Sequence, residues 1–258
     1  MKIPVALSIA GSDPSGGAGI QADLKTFHQR GVYGMAAITL LTVQNTRRVS
    51  AVEALAPELV EAQVRAAIED IPPGATKTGA LGDEKIVRML ARLADEFDFP
   101  LVVDPVMISK HGHALLTEAA RAAMAESLLP RAYLVTPNLH EAAELAGISV
   151  RDIESMERAA EKIVSLGARG ALVKGGHLEG DAVDLLRFGN ETVLLPSPRV
   201  VTRHTHGTGC VYSACITAEL AKGNSIKDAA AAAKEFITRA IATAPGLGQG
   251  SGPVNHFA

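Results

Sequence analysis

The chain has 258 residues, a formal net charge of −3 from 25 basic and 28 acidic side chains, and two cysteines. That length can bury a substantial core, and the near-neutral balance excludes a nucleic-acid binder working through a basic excess. Cys210 and Cys215 are too few and too close for a disulfide framework or a four-cysteine metal site, which points to a reducing, cytoplasmic compartment.

Residues 1–10 carry one lysine and a short apolar run, too short for a secretory h-region. No stretch approaches the roughly 20 apolar residues that span a bilayer, so a soluble protein without a membrane partner is expected. The first strand is predicted over 4–10, stopping at the glycine-rich run 11–17, with a helix over 18–30. A second strand over 36–43 precedes a helix over 57–70, where Leu59, Val60, Val64, Ala67 and Ile68 recur at helical spacing. A short strand over 75–78, a helix over 84–97 and a strand over 101–103 follow. Helices over 118–129 and 157–166 precede strands over 134–135 and 171–173. Segments 183–188 and 192–195 flank Gly189-Asn190 and read as a hairpin, and alanine-rich helices over 208–222 and 225–242 come last. Uninterrupted apolar strands separated by helices mark a parallel sheet covered on both faces. With no linker or repeat, residues 1–258 are expected to form one domain.

Ligands of open α/β sheets bind beyond the carboxyl ends of the strands. Six predicted strand ends carry polar or glycine-rich clusters: 11–19, 44–46, 77–79, 104–105, 136–138 and 174–176. Gly207-Thr208-Gly209-Cys210 opens a helix, where close backbone approach, free amides and the helix dipole favour an anion. It is not a Walker A loop, and the first glycine-rich loop does not fit the dinucleotide fingerprint. Cys210 in the first turn is a candidate base or nucleophile, its pKa expected to fall near the helix N-terminus. Cys215, among Ala214, Ile216 and Ala218, reads as a small core residue. Asp104 ends a strand, and Asn138 and Glu141 are spaced to face one ligand from a helix start. Such oxygen donors suit Mg2+ held mostly through water and phosphate. The histidines show no zinc spacing.

These motifs together resemble the ribokinase-like superfamily, and within it the hydroxymethylpyrimidine/phosphomethylpyrimidine kinases. The likeness rests on the run 10–23, on Gly31-Val32-Tyr33-Gly34 and on Gln44-Asn45-Thr46. It continues through Asp104-Pro105-Val106-Met107, Thr136-Pro137-Asn138, Lys174-Gly175-Gly176-His177, Thr205-His206-Gly207-Thr208-Gly209-Cys210 and the tail 252–256. The resemblance implies a three-layer α/β/α sandwich with a central, mostly parallel sheet, usually a homodimer. It further implies an ATP- and Mg2+-dependent enzyme of thiamine biosynthesis. Such an enzyme phosphorylates 4-amino-5-hydroxymethyl-2-methylpyrimidine to its monophosphate and then to its diphosphate. By this analogy Asp23 and Gln44 hold the aminopyrimidine, with Gly11, Ala18 and Val106 lining the pocket. Lys174, His206, Gly207, Thr208 and Gly209 take the ATP phosphates. Asp104, Asn138 and Glu141 organise the metal, and Cys210, with Lys174, carries the catalytic role.

Most superfamily members have an aspartate where Cys210 stands. A neutral thiol there would not repel the phosphorylated intermediate, so positioning and charge neutralisation should supply most of the catalysis. His204, His111 and Ala80 depart from the family pattern. The nearest rival reading is a pyridoxine/pyridoxal kinase, against which Gln44 discriminates through its amide. A thiol hydrolase using Cys210 and His206, or a non-catalytic binding module, would leave Lys174 and Asp104 without roles.

Overall fold

Nine strands form one sheet in the computed structural model, which describes residues 3–108, 112, 115–176, 178 and 180–258. In chain order they are β1 (Val5–Ser12), β2 (Tyr33–Gln44), β3 (Val49–Ala54), β4 (Ala75–Thr78), β5 (Leu101–Val103), β6 (Leu134–Val135), β7 (Gly170–Val173), β8 (Asp184–Phe188) and β9 (Glu191–Leu195). Their spatial order is β3-β2-β1-β4-β5-β6-β7-β8-β9. The six strands from β2 to β7 in that order run parallel, while β3, β8 and β9 are antiparallel to their neighbours. All six predicted polar strand ends therefore open on one edge of the sheet.

The helices are α1 (Gly19–Gln29), α2 (Pro57–Asp70), α3 (Glu84–Ala94), α4 (Glu118–Ala123), α5 (Leu139–Ala146), α6 (Ile153–Ser165), α7 (Thr208–Ala221) and α8 (Ile226–Ala242). Alternation along the strands feeds two cores. Leu7, Ile9, Leu101 and Val103 pack with α2 to α6, whereas Val102, Leu134, Leu172 and Leu186 pack against α7 and α8. Ala6 meets Phe27 of α1 and Ala214 of α7. This is the mostly parallel three-layer α/β/α sandwich expected from the sequence. α7 is buried from Val211 to Leu220, which explains why its sequence is mostly apolar and lacks a polar face.

Three local differences have physical reasons. Residues Val49–Ala54 add an antiparallel edge strand that the sequence pattern misses, because its side chains are mostly exposed and lack the apolar run of a buried strand. The helix predicted over 118–129 leaves α geometry after Ala123, passing through a π turn (Met124–Leu128) into a 3-10 turn (Leu129–Arg131). Pro130 offers no backbone donor to continue the ladder. α6 starts four residues before the predicted 157, because Asp152 accepts the Ser155 N–H at 2.8 Å and caps an earlier turn.

Candidate active site

The parallel ends of β1, β4, β5 and β7 surround the start of α7. There a buried charge cluster collects. Asp104, 1% exposed at the end of β5, accepts Thr136 Oγ1 at 3.1 Å, Lys174 Nζ at 3.1 Å and Ser213 Oγ at 3.2 Å. Burial alone would raise its pKa, but the Lys174 and Lys77 ammonium groups hold it below the ordinary carboxylate range. Gly209 lies over this pair: a Cβ there would come 3.3 Å from Lys174 Nζ and 3.7 Å from Asp104 Oδ2. Glycine at that position keeps the lysine head open to a ligand.

Glu141 lies at the next strand end. Asn138 caps α5 by accepting the Glu141 N–H at 2.9 Å, and Glu141 Oε2 accepts the Asn138 N–H at 2.8 Å. This capping box satisfies two orphan helix amides. Burial pushes Glu141 up to about 7, Lys174 opposing and the Asp104 charge adding to the rise. Two carboxylates thus share one lysine, one held ionised and the other poised near neutrality. Their hard oxygens, brought together at two neighbouring strand ends, fit a divalent cation such as Mg2+. Asn138 is committed to its cap through the side-chain oxygen. Among the described residues no group of three or more His, Cys, Asp or Glu side chains is placed to hold a metal ion.

The cysteine expectation needs correction. Cys210 stands in the first turn of α7, half-buried, with the Gly19 amide facing its sulfur. Burial pushes its thiol up to about 12; the nearby Lys77 ammonium opposes this, while Asp23 and Asp104 reinforce it. Desolvation and the two carboxylates together outweigh the Lys77 charge and the Gly19 amide. Cys215 is fully buried in the core beside α8, as its apolar neighbours predicted.

Asp23 also differs from expectation. Its carboxylate is wholly buried, accepting Ser8 Oγ at 2.6 Å and Lys77 Nζ at 2.8 and 2.9 Å. No edge of it is open to an aminopyrimidine; it acts on its surroundings through Lys77. Lys77 is equally buried, and despite desolvation the Asp23 charge holds its pKa above the usual lysine value. Lys77 lacks a predicted role, although a lysine inside the four-residue strand Ala-Thr-Lys-Thr demands a buried partner.

His206 turns away from the predicted phosphate role. Its Nε2 lies 2.8 Å from Asp13 Oδ2 and it is 6% exposed. Asp13 also accepts the Ser15, Gly17 and Ala18 amides, at 2.8, 3.2 and 2.8 Å, so the first glycine loop is wound around its carboxylate. Gly207, with φ +78°, packs so closely on this loop that a Cβ would fall 1.8 Å from Gly17 O. This engagement leaves His206 unavailable to form a hydrolase pair with Cys210. Gly11 is likewise tight, its Cβ position 2.5 Å from Leu40 Cδ1, and Ala18 is the N-cap of α1. Gln44 ends β2 half-buried, Val106 follows Asp104 half-buried, and Thr208 Oγ1 donates to Thr205 O at 2.8 Å. Of the departures, Ala80 accepts Thr39 Oγ1 through its carbonyl, the buried Nδ1 of His204 has no hydrogen-bond partner among the described residues, and His111 lies outside the described residues, as does His177.

Of the surface clefts, one of about 470 Å³ lies between residues 195–198 and α8, and one of about 510 Å³ lies beside Leu139 and Arg151. Neither is lined by Cys210, Asp104 or Lys174. The buried charges mark the chemistry better than the cleft volumes do.

A sequence family described as phosphomethylpyrimidine kinase matches residues 13–255. The chain belongs to this family. It is 49% identical to a hydroxymethylpyrimidine/phosphomethylpyrimidine kinase of Streptomyces coelicolor over 98% of this chain and 94% of that one. Among solved structures, the ADP complex of Bacillus subtilis pyridoxal kinase is similar with a TM-score of 0.92 and 41% identity, covering 99% of this chain and 98% of that one. The phosphomethylpyrimidine kinase of Clostridium difficile is similar with a TM-score of 0.82 and 44% identity, covering 93% of this chain and all of that one. Among the described residues no helix is long and apolar enough to cross a membrane.

Proposed function

We propose that the chain transfers the γ-phosphoryl group of ATP to 4-amino-5-hydroxymethyl-2-methylpyrimidine, and then a second phosphoryl group to the resulting monophosphate, in thiamine biosynthesis. The observation that carries this reading is the Lys174–Asp104 pair lying directly beneath Gly209 in the glycine-collared start of α7. That arrangement brings a cation, backbone amides and a carboxylate to one place. Lys174 and the amides of Gly207, Thr208 and Gly209 hold the ATP phosphates. Asp104 and Glu141 would hold Mg2+, which when bound neutralises phosphate charge. Gln44, Gly11, Ala18 and Val106 form the pyrimidine pocket, with Asp23 behind it fixing Lys77.

In the first step the alcohol oxygen attacks the γ-phosphorus, its proton passes to an oxygen of the transferred phosphoryl group and on to solvent, the bond to the bridging oxygen of ADP breaks, and ADP leaves. In the second step the attacking oxygen is that of the already deprotonated monophosphate, and ADP leaves in the same way. Cys210 acts as a neutral thiol that orients the attacking oxygen, because about 12 is too high for a resident base. The same neutrality admits the anionic monophosphate in the second step. Residues 1–258 act as one kinase domain, working in the cytoplasm as a homodimer. Product analysis with ATP and the pyrimidine alcohol tests the reading: monophosphate followed by diphosphate supports it, and no ATP consumption above background refutes it.

The similarity to the Bacillus subtilis pyridoxal kinase favours one second reading, phosphorylation of pyridoxal at the same site. A competition assay separates the two. A much higher kcat/KM for pyridoxal than for the pyrimidine would reverse the order.

A further inference from the structure

The turn that carries Lys174 is held from behind by a buried ion pair. Asp184, the first residue of β8 and 3% exposed, accepts the Gly175 N–H on Oδ1 at 2.8 Å. Its Oδ2 accepts Lys234 Nζ at 2.7 Å, and Lys234 also donates to Ala182 O at 2.7 Å. Gly175 has little freedom to settle elsewhere: a Cβ there would fall 1.9 Å from Val183 O. On the other side, the Lys174 N–H donates to Pro137 O at 2.8 Å. The backbone is thus fixed at both residues 174 and 175, and from this anchorage Lys174 Nζ reaches Asp104 at 3.1 Å.

A buried ion pair adds little net stability over a well-packed apolar pair of the same volume. Its distinctive product here is geometry, since among the described residues Asp184 Oδ1 is the acceptor that the Gly175 N–H meets. We infer that Asp184, held in turn by Lys234 of α8, is a positioning residue that sets the direction in which the Lys174 ammonium leaves the sheet. The inference rests on the proposed phosphate role of Lys174.

Two volume-conserving double variants and one control test it. Asp184→Asn with Lys234→Gln keeps an acceptor for the Gly175 N–H while removing both charges. Asp184→Leu with Lys234→Met removes the acceptor without leaving a buried charge unpaired. Lys174→Met, measured alongside, tests the underlying reading. The amide pair should retain kcat/KM for ATP within about threefold, and the apolar pair should lose at least tenfold. KM for the pyrimidine alcohol should stay within twofold in both, a separation that general loosening of the fold would not produce. Equal ATP kinetics in the wild type and the folded apolar pair, or a tenfold loss in the amide pair, overturns the inference. If the apolar pair does not fold, Asp184→Ala with Lys234→Met, which also removes the acceptor, takes its place on the same thresholds. Unchanged ATP kinetics in Lys174→Met would instead overturn the phosphate role itself.

Discussion

The state of the Cys210 thiol can be tested directly by alkylation. Iodoacetamide reacts with thiolate, so its rate against pH reports the pKa. An ordinary cysteine thiol titrates at 9.0 and the site raises Cys210 to about 12. At about 1.36 kcal/mol per pH unit, that rise disfavours the thiolate by roughly 4 kcal/mol. At pH 7.5 an ordinary thiol is about 3% ionised, and Cys210 about one part in 30,000, so its alkylation should be roughly a thousandfold slower. The experiment uses a Cys215→Ser background, mass spectrometry of the modified peptide, and rates from pH 7 to 10. The expected profile rises tenfold per pH unit throughout, without a plateau. Modification at pH 7.5 as fast as a free thiol, or a plateau below pH 9, would refute the argument that burial and two carboxylates outweigh the Lys77 charge and the Gly19 amide. The kinetic counterpart follows: Cys210→Ser should keep kcat for the first phosphorylation within about tenfold, since hydroxyl and thiol both remain protonated.

Other predictions come from the same cluster. Lys77→Met leaves the Asp23 charge buried and unpaired and should cost about 3–5 kcal/mol in urea titration. Adding Asp23→Leu should recover most of that loss, and no recovery would show that the pair is not the cause. Gly207→Ala places a methyl group against Gly17 O at a backbone angle suited to glycine, so activity should fall severely; wild-type kcat and Tm in that variant would contradict the close approach. Burial pushes Glu141 up to about 7 in the folded chain against an ordinary 4.5, so the folded chain holds a proton that the unfolded chain has released between those values. Stability is therefore lost as pH rises through that window, by about 3 kcal/mol at most. Glu141→Gln should gain stability relative to the wild type at pH 8 compared with pH 4, and parallel pH profiles would count against it.

The frame of the site is legible in the sequence because its causes are local. Leu101-Val102-Val103 must be a buried strand, and Gly207 and Gly209 flank a helix start wherever the rest of the chain goes. The electrostatics are not legible in this way. Cys210 looks like an activated thiol when only its helix is considered; its actual state depends on Asp104 and Asp23, which arrive from other strands and helices. His206 stands next to the anion loop in sequence, yet its ring is captured by Asp13 across the fold. Asp184 and Lys234 belong to no motif, and only the packing of α8 over β8 brings them to the Lys174 turn. The edge strand β3 stays hidden for the opposite reason: it buries too little to leave a pattern.

The clasp of Asp13 and His206 joins residues 193 positions apart. Contacts of such separation carry a large loop-closure cost and accumulate late in folding, after local βαβ units have formed. Catalytic competence should therefore lag behind the recovery of helical signal during refolding. A partly refolded population with a nearly complete sheet would still be inactive, and turnover would count only those molecules in which the two glycine loops have met.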